Sequence, residues 1–114
     1  MKNIQFISQS QPHSGVNGSS LQGYLHASRA YLEMLFGPPL PEPPDEYKTS
    51  YEWHVEIKHD GKSKGVVAIY DYKSDHSDDI GEEIHWHIGA KGPVLALEIC
   101  DFVKTGKHHE MKLS

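Results

Sequence analysis

The feature that most constrains the fold is a stretch of strictly alternating residues that ends in an Asp-Gly pair. Odd positions from 51 to 57 hold Tyr, Trp, Val and Ile, whereas even positions from 52 to 58 hold Glu, His, Glu and Lys. Such alternation places the two sets on opposite faces of a β-strand. Asp60-Gly61 is typical of a two-residue hairpin turn, and 64–72 supplies the return strand. The turn sets three pairs opposite each other: Val55 and Val66, Trp53 and Ala68, Tyr51 and Tyr70.

The N-terminal part predicts a short strand at Ile4–Ile7 and then a helix over residues 20–36. In the helix, apolar and small residues recur at spacings of three and four, which places them on one face. Ser19 or Ser20 is a suitable N-cap, and Gly37 is a suitable stop. The residues that define this face are Leu21, Tyr24, Leu25, Ser28, Tyr31, Leu32 and Leu35.

The C-terminal part predicts another alternating strand over 83–88 and a helix that begins near Pro93 and ends at Gly106. The predicted order is therefore β-α-β-β-β-α. The fold class is α+β, with an antiparallel sheet of three or four strands and both helices on one face. The other face is expected to be open to water or to a partner, and it carries Glu52, His54, Glu56, Glu83, His85 and His87.

A length of 114 residues fits one domain, 1–114. We expect an ordered core over 18–105, a proline-rich connector over 37–45 and a flexible tail over 106–114. The single cysteine, Cys100, lies in an apolar stretch and is interpreted as a buried core residue. No secretion signal or membrane-spanning run is evident, so the expected compartment is the cytoplasm.

The charge balance bears on the class of partner. Eleven Lys and Arg against 16 Asp and Glu give a formal charge of −5, which argues against non-specific binding to nucleic acid. No nucleophile motif and no pair of carboxylates in apolar surroundings is present. The expectation is therefore a protein that is not an enzyme and uses no cofactor.

Two histidines on one strand form the first candidate site. His85 and His87 are two residues apart, so they share a face of the predicted strand. With His54 or Glu52 from a neighbouring strand they form a candidate metal site. The alternatives are a contact with a ligand or partner, or a solvated polar face. Because no HExxH or CxxC motif supports the metal, none is predicted.

Two glycine-containing turns form further candidate sites. Gly89–Pro93 leads from a strand into a helix, so backbone N–H groups and the charge of Lys91 are expected to meet there, as in a phosphate site. Gly18-Ser19-Ser20 is a second predicted helix start, with Arg29 on the same helix. Ordinary capping explains both turns equally well.

Three segments resemble a group of short phage-encoded proteins: Gly18–Tyr24 (GSSLQGY), Tyr51–Trp53 (YEW) and Glu83–Gly89 (EIHWHIG). The resemblance spans about residues 18–98. It implies a binding role in phage counter-defence, either as a sponge for a nucleotide immune signal or as an inhibitor of a host defence protein.

We therefore predict a non-catalytic protein that sequesters a small phosphorylated nucleotide ligand, without membrane or metal, and that self-associates. The alternatives are a direct inhibitor of a host protein and a metal-dependent hydrolase that uses His54, His85 and His87. The predicted ligand-binding residues are Ser19, Ser20, Tyr24, Arg29, Trp53, His54, His85, His87 and Lys91.

Overall fold

The computed structural model describes residues 3–16, 18–41, 51–71 and 81–105, and within these it contains five strands and two α-helices. All strand pairs are antiparallel, in the order β1-β3-β4-β5-β2. The α+β class is confirmed, but the sheet has one or two strands more than predicted. The elements are β1 (Ile4–Ser8), β2 (Ser20–Ser28), α1 (Arg29–Phe36), β3 (Glu52–His59), β4 (Lys62–Tyr70), β5 (Glu83–Ala90) and α2 (Pro93–Thr105).

The predicted hairpin is confirmed as β3 and β4, joined by Asp60-Gly61. Both turn residues have positive φ, at 53° and 86°, as a two-residue hairpin turn of type I′ requires. The predicted register holds only next to the turn. Beyond an irregularity between Ile57 and Lys58, each pair is shifted by one residue. The observed pairs are Val55 with Val67, Trp53 with Ile69, and Glu52 with Tyr70.

Gly65 explains the shift. It lies at this irregularity with a φ of 141°, and a Cβ there would lie 2.8 Å from the Leu95 side chain of α2. An extra residue in one strand reverses the direction of every side chain beyond it. Val67 and Ile69 therefore face the helices, whereas Val66 and Ala68 face the other way.

The predicted helix over 20–36 is wrong in its first half. Ser20–Ser28 is strand β2, which pairs with β5, and only Arg29–Phe36 is helical. The N-cap is Ser28, whose Oγ accepts a hydrogen bond from the backbone N–H of Tyr31, rather than Ser19 or Ser20. The predicted stop is confirmed, because the C-cap is Gly37.

One hydrophobic core lies between the sheet and the two helices. Trp53 and Trp86 meet edge to face in it, with ring centroids 5.3 Å apart. Each indole N–H donates to a backbone carbonyl, that of Gly37 for Trp53 and that of Ala27 for Trp86. Phe6 of β1 stacks on a ring of α2, so the packed core extends to the N-terminal side of residue 18.

The sequence predicts that the opposite face of the sheet is open, but the structure shows that part of it is covered. A loop with a 3₁₀ turn at Ser14–Val16 lies over β3 and β4. His54 is completely buried there and Glu52 is 8% exposed. Nε2 of His54 donates to the Glu52 carboxylate at 2.7 Å, and its Nδ1 accepts the backbone N–H of His13 at 3.0 Å.

Three predicted segments extend outside the described residues: the proline-rich connector at 42–45, the end of the return strand at 72, and the tail at 106–114 with the helix end at Gly106. Within the described part of the chain, neither helix has the length and apolar character needed to cross a membrane.

Candidate functional site

The part of this face that the loop leaves uncovered carries a group of aromatic side chains on β2, β4 and β5. The strand register brings them together, because Tyr24 and Tyr70 both pair with His87, and His26 pairs with His85. We call these five residues the histidine–tyrosine cluster: Tyr24, His26, Tyr70, His85 and His87.

The rings of the cluster are in mutual contact. The Tyr24 ring lies 4.6 Å from that of His85 and 5.1 Å from that of His87, measured between centroids. His87 stacks on Tyr70 at 5.6 Å with an angle of 18° between the ring planes. Tyr24 is 50% exposed, whereas His87 is 7% exposed. The cluster therefore presents the Tyr24 ring to solvent above a base of packed rings.

His26 and His85 form the most polar part of the cluster. Nε2 of His26 lies 2.9 Å from Nδ1 of His85, and the two rings are inclined by 63°. At this distance one nitrogen donates a proton and the other accepts it. The remaining ring nitrogens provide polar contacts for a ligand at this edge of the sheet.

A groove follows β2 beside the cluster, with a volume of about 630 Å³. β2 is an edge strand, so one side of it has no pairing strand among the described residues. The groove lies between this side and the C-terminal end of α2, and its lining includes Tyr24, His26, Tyr31, Glu83 and Lys104. Aromatic and charged groups thus line a cavity that adjoins the cluster.

Lys91 lies beyond the end of β5, next to the start of α2. Its side chain is exposed, and its Cε would lie 3.9 Å from a Cβ at Gly18. Ser20 pairs with Ala90, so the segment before β2 runs close to this lysine. The side-chain oxygen of Ser19 is buried and makes no hydrogen bond to a described residue. Lys91, Ser19 and Ser20 therefore lie at one end of the face, although no helix starts at the serines.

Three predicted ligand residues lie away from the cluster. Trp53 is 1% exposed in the core, so its ring is not available for stacking on a ligand. His54 is buried beneath the loop, with both ring nitrogens bonded within the protein. Arg29 begins α1 on the helical side of the sheet, where it pairs with Glu33 at 3.2 Å and lies over the Tyr51 ring.

The structure also separates the residues of the metal-hydrolase alternative. His54 lies on β3 and the pair His85 and His87 on β5, with β4 between them. His54 is also fully buried, and both of its ring nitrogens are already bonded, to Glu52 and to the backbone N–H of His13. Among the described residues, no group of three or more His, Cys, Asp or Glu is placed to hold a metal ion.

Sequence reasoning missed His26 and Tyr70 as members of the site. His26 was assigned to a helix, although Tyr24 and His26 alternate with the buried Leu25 and Ala27. That alternation was the available signal for an edge strand. Tyr70 was missed because the predicted pairing with Tyr51 places it on the same face as Trp53, and the register shift at Gly65 has no clear mark in the sequence.

Cys100 is half-buried on α2, close to the backbone of β2. Its Sγ lies 3.6 Å from the carbonyl oxygen of Tyr24. Burial raises the pKa of the thiol above its usual value of 9.0, and the nearby Lys104 only partly offsets this. The thiolate is therefore scarce at neutral pH. Cys100 is not the buried core residue that the sequence predicts, because it is only partly buried and packs against the margin of the core.

Comparisons of the chain with protein-family models, with curated proteins and with solved structures found no match. The resemblance to small phage-encoded proteins therefore stays a prediction.

Proposed function

We propose that this protein is a non-catalytic binding protein that sequesters a nucleotide-type ligand, as a sponge for an immune signal in phage counter-defence would. The observation that carries the proposal is the histidine–tyrosine cluster. Its five rings lie on the one described part of the sheet face that the loop leaves uncovered, and hydrophobic packing alone does not require aromatic rings there.

The exposed Tyr24 ring is the proposed stacking surface for a base. Half of this side chain is exposed, while His85 and His87 support the ring from below. Stacking of one base on an aromatic side chain contributes about 1–3 kcal/mol and tolerates any base. An exposed aromatic ring therefore suits a planar heterocycle better than a flexible peptide side chain.

Phosphate groups are proposed to contact the histidine pair and Lys91. Imidazole N–H groups and the lysine ammonium donate charge-assisted hydrogen bonds to phosphate oxygens. From His85 to Lys91 the chain advances six residues, or about 20 Å at the rise of a strand. A ligand that contacts both ends must therefore be longer than one nucleobase, which favours cyclic dinucleotides and ADP-ribose-type signals.

Calorimetry with cyclic dinucleotides and ADP-ribose is the direct test, followed by mass spectrometry of the recovered ligand. We expect binding tighter than about 10 μM, equivalent to about 7 kcal/mol, and an unchanged ligand mass. No binding below about 100 μM for any of these ligands would contradict the proposal. A ligand recovered with an altered mass would show that the protein is an enzyme.

Substitutions locate the site. Tyr24→Ala should weaken a detected affinity about 5- to 150-fold, the equivalent of about 1–3 kcal/mol of stacking. Lys91→Ala should weaken it as well, because a full positive charge is lost beside the phosphate. Met34→Ala and Lys62→Ala are the matched controls, since both side chains are exposed in other parts of the structure. If the controls weaken binding as much as the site variants, the proposed site is wrong.

The second candidate is an inhibitor that binds a host defence protein directly. The unpaired side of β2 favours it, because an exposed strand edge accepts an extended segment of another protein by strand addition. Leu21 and Tyr24 on this strand are 43% and 50% exposed. Pull-down from host lysate with the wild type and with Leu21→Pro, which removes a backbone donor, tests this candidate.

A further inference from the structure

The loop between β1 and β2 is held on the sheet by two histidines that both act as hydrogen-bond acceptors. Nδ1 of His54 on β3 accepts the backbone N–H of His13 at 3.0 Å, and Nδ1 of His13 accepts the backbone N–H of Gly15 at 2.8 Å. A backbone N–H can only donate, so each Nδ1 atom must be without a proton. Both hydrogen bonds therefore require a neutral imidazole ring.

Acid removes both acceptors. An ordinary histidine takes up its second proton near pH 6.5, and both ring nitrogens then carry hydrogen. With the loop closed, this proton has no free position on His54, because Nε2 already donates to Glu52 and Nδ1 already accepts from His13. The loop must leave before His54 takes up the proton. The open loop therefore binds more protons than the closed loop, and acid favours opening.

The charges around His54 are the same whether the loop is closed or open. Among the described residues, the titratable groups that face it are Glu52 and Glu56 on β3, Tyr70 on β4 and His13 in the loop, and β1 has none. Both carboxylates belong to the same strand as His54, so they favour its second proton in either state. Opening removes only the contact with His13, which therefore sets the direction of the pH effect.

We propose that His54 and His13 form a pH-sensitive latch, which holds the loop on the sheet at neutral pH and releases it below about pH 6. The latch goes beyond nucleotide binding, because neither histidine belongs to the histidine–tyrosine cluster. The hydrophobic core between the sheet and the helices contains neither of them. The loop should therefore open without unfolding of the rest of the protein.

Opening of the loop enlarges the accessible face of the sheet. A Cβ at Gly15 would lie 2.8 Å from the Val66 side chain, so the closed loop lies directly on this valine. Val66 and Ala68 are only 3% and 6% exposed. Both precede Tyr70 on the same face of β4. Acid therefore adds an apolar surface beside the histidine–tyrosine cluster.

The test is the exchange of backbone amide hydrogens of the full chain between pH 7.5 and pH 5, measured by NMR and corrected for the intrinsic effect of pH. The amides of His13 and Gly15 should lose protection as the pH falls, by up to about tenfold per pH unit for each proton that opening takes up. The indole N–H groups of Trp53 and Trp86, which are bonded beside the core, should stay protected. Equal loss of protection in the loop and at the indoles would indicate global unfolding and overturn the proposal.

Asparagine substitutions separate the acceptor from its titration. Asparagine keeps an oxygen that accepts a backbone N–H but takes up no proton in this range, and at position 13 it can accept from residue 15 as an Asx turn. His13→Asn/His54→Asn should therefore keep the loop closed at pH 5. His59→Asn is the matched control, because His59 contacts Glu98 at 2.9 Å in another part of the structure, and its loop should open as in the wild type. A wild-type loss of protection in the double variant would show that the two histidines do not control the loop.

Glu52→Gln is a second, independent variant, since His54→Asn leaves the nearly buried Glu52 carboxylate without its donor. Glutamine keeps the size and an acceptor oxygen, but it removes the negative charge that favours the second proton on His54. The midpoint of loop opening should therefore shift to lower pH. An unchanged midpoint, or a shift to higher pH, would show that protonation of His54 does not release the loop.

Discussion

His54 shows how one buried polar side chain fixes a loop on the sheet. Its Nδ1 accepts a backbone N–H, so the proton of the neutral ring is on Nε2, which donates to Glu52. Its own backbone carbonyl accepts from the N–H of Gln9. The loop that covers part of this face is thus attached at His54. The alternation in the sequence places His54 on the correct face of the strand, but nothing in the sequence indicates that the loop covers it.

The first residue-scale prediction follows from this bonding. His54→Ala leaves a nearly buried carboxylate and a backbone N–H without their partner, so we expect a loss of about 3 kcal/mol in the free energy of unfolding. Urea denaturation measures it. His85→Ala is the matched control, because it loses a hydrogen bond and ring contacts but leaves no buried carboxylate without a partner, so its loss should cost only about 1 kcal/mol. Equal effects of the two substitutions would contradict this account of His54.

A second residue-scale prediction concerns the pH dependence of stability at Cys100. Burial raises the pKa of the folded thiol above 9.0, so the folded state holds the proton more tightly than the unfolded state does. The resulting contribution is complete below the unfolded pKa and is lost as pH rises through the folded value. The stability of the wild type should therefore fall relative to Cys100→Ala as the pH rises above the unfolded thiol pKa of about 8.5. A constant difference between the two proteins above this pH would show that the thiol pKa is not raised.

At the scale of elements, the chain changes from β2 to α1 at Ser28. This residue is the last of the strand and also the N-cap, with φ −83° and ψ 155°. Its Oγ accepts from the N–H of Tyr31 at 3.1 Å, which satisfies one of the unpaired donors of the first helical turn. No linker residue is needed between the strand and the helix.

The cap gives a prediction that distinguishes the observed start of the helix from the one expected from sequence. Ser28→Ala should lower the free energy of unfolding by about 1 kcal/mol, because the cap hydrogen bond is lost. Ser20→Ala should change it by less than about 0.5 kcal/mol, since Ser20 is exposed and caps no helix. Thermal or urea unfolding of both variants is the measurement. A larger loss for Ser20→Ala would favour the longer helix.

The segment 20–28 shows why local patterns predicted only part of the fold. Its apolar residues fit spacings of three and four as well as an alternation of two, and the irregularity between Leu21 and Gly23 interrupts that alternation. Because residues 29–36 do have a helical pattern, the predicted helix also included the residues before them. β3, β4, β5 and α2 were predictable because alternation, an Asp-Gly turn and Pro93 each mark them clearly.

The missing strand also determined how much of the site could be predicted. Tyr24, His85 and His87 were identified, but only pairing of β2 with β5 brings them together. Assignment of Tyr24 and His26 to a helix separated these residues from the sheet. Contacts between elements distant in sequence depend on strand order, which no local pattern encodes.

At the scale of the whole molecule, the two faces of the sheet are covered to different extents. The helices and the core protect one face, and the loop protects part of the other. The edge strand β2 and the cluster beside it stay accessible, with Leu21 43% and Tyr24 50% exposed. An accessible edge with exposed apolar side chains is a site at which chains pair with each other or with partners.

Self-association through this edge is the last prediction. Two β2 strands related by a two-fold axis would pair antiparallel and extend the sheet across both chains. Light scattering at about 100 μM, a concentration that populates even a weak dimer, should therefore give about twice the mass of 12.9 kDa. Leu21→Lys places a charge on the edge and should restore the monomer, whereas Met34→Lys on the exposed side of α1 should not. A 12.9 kDa species alone at that concentration, or loss of the dimer in Met34→Lys only, would show that β2 does not form the interface.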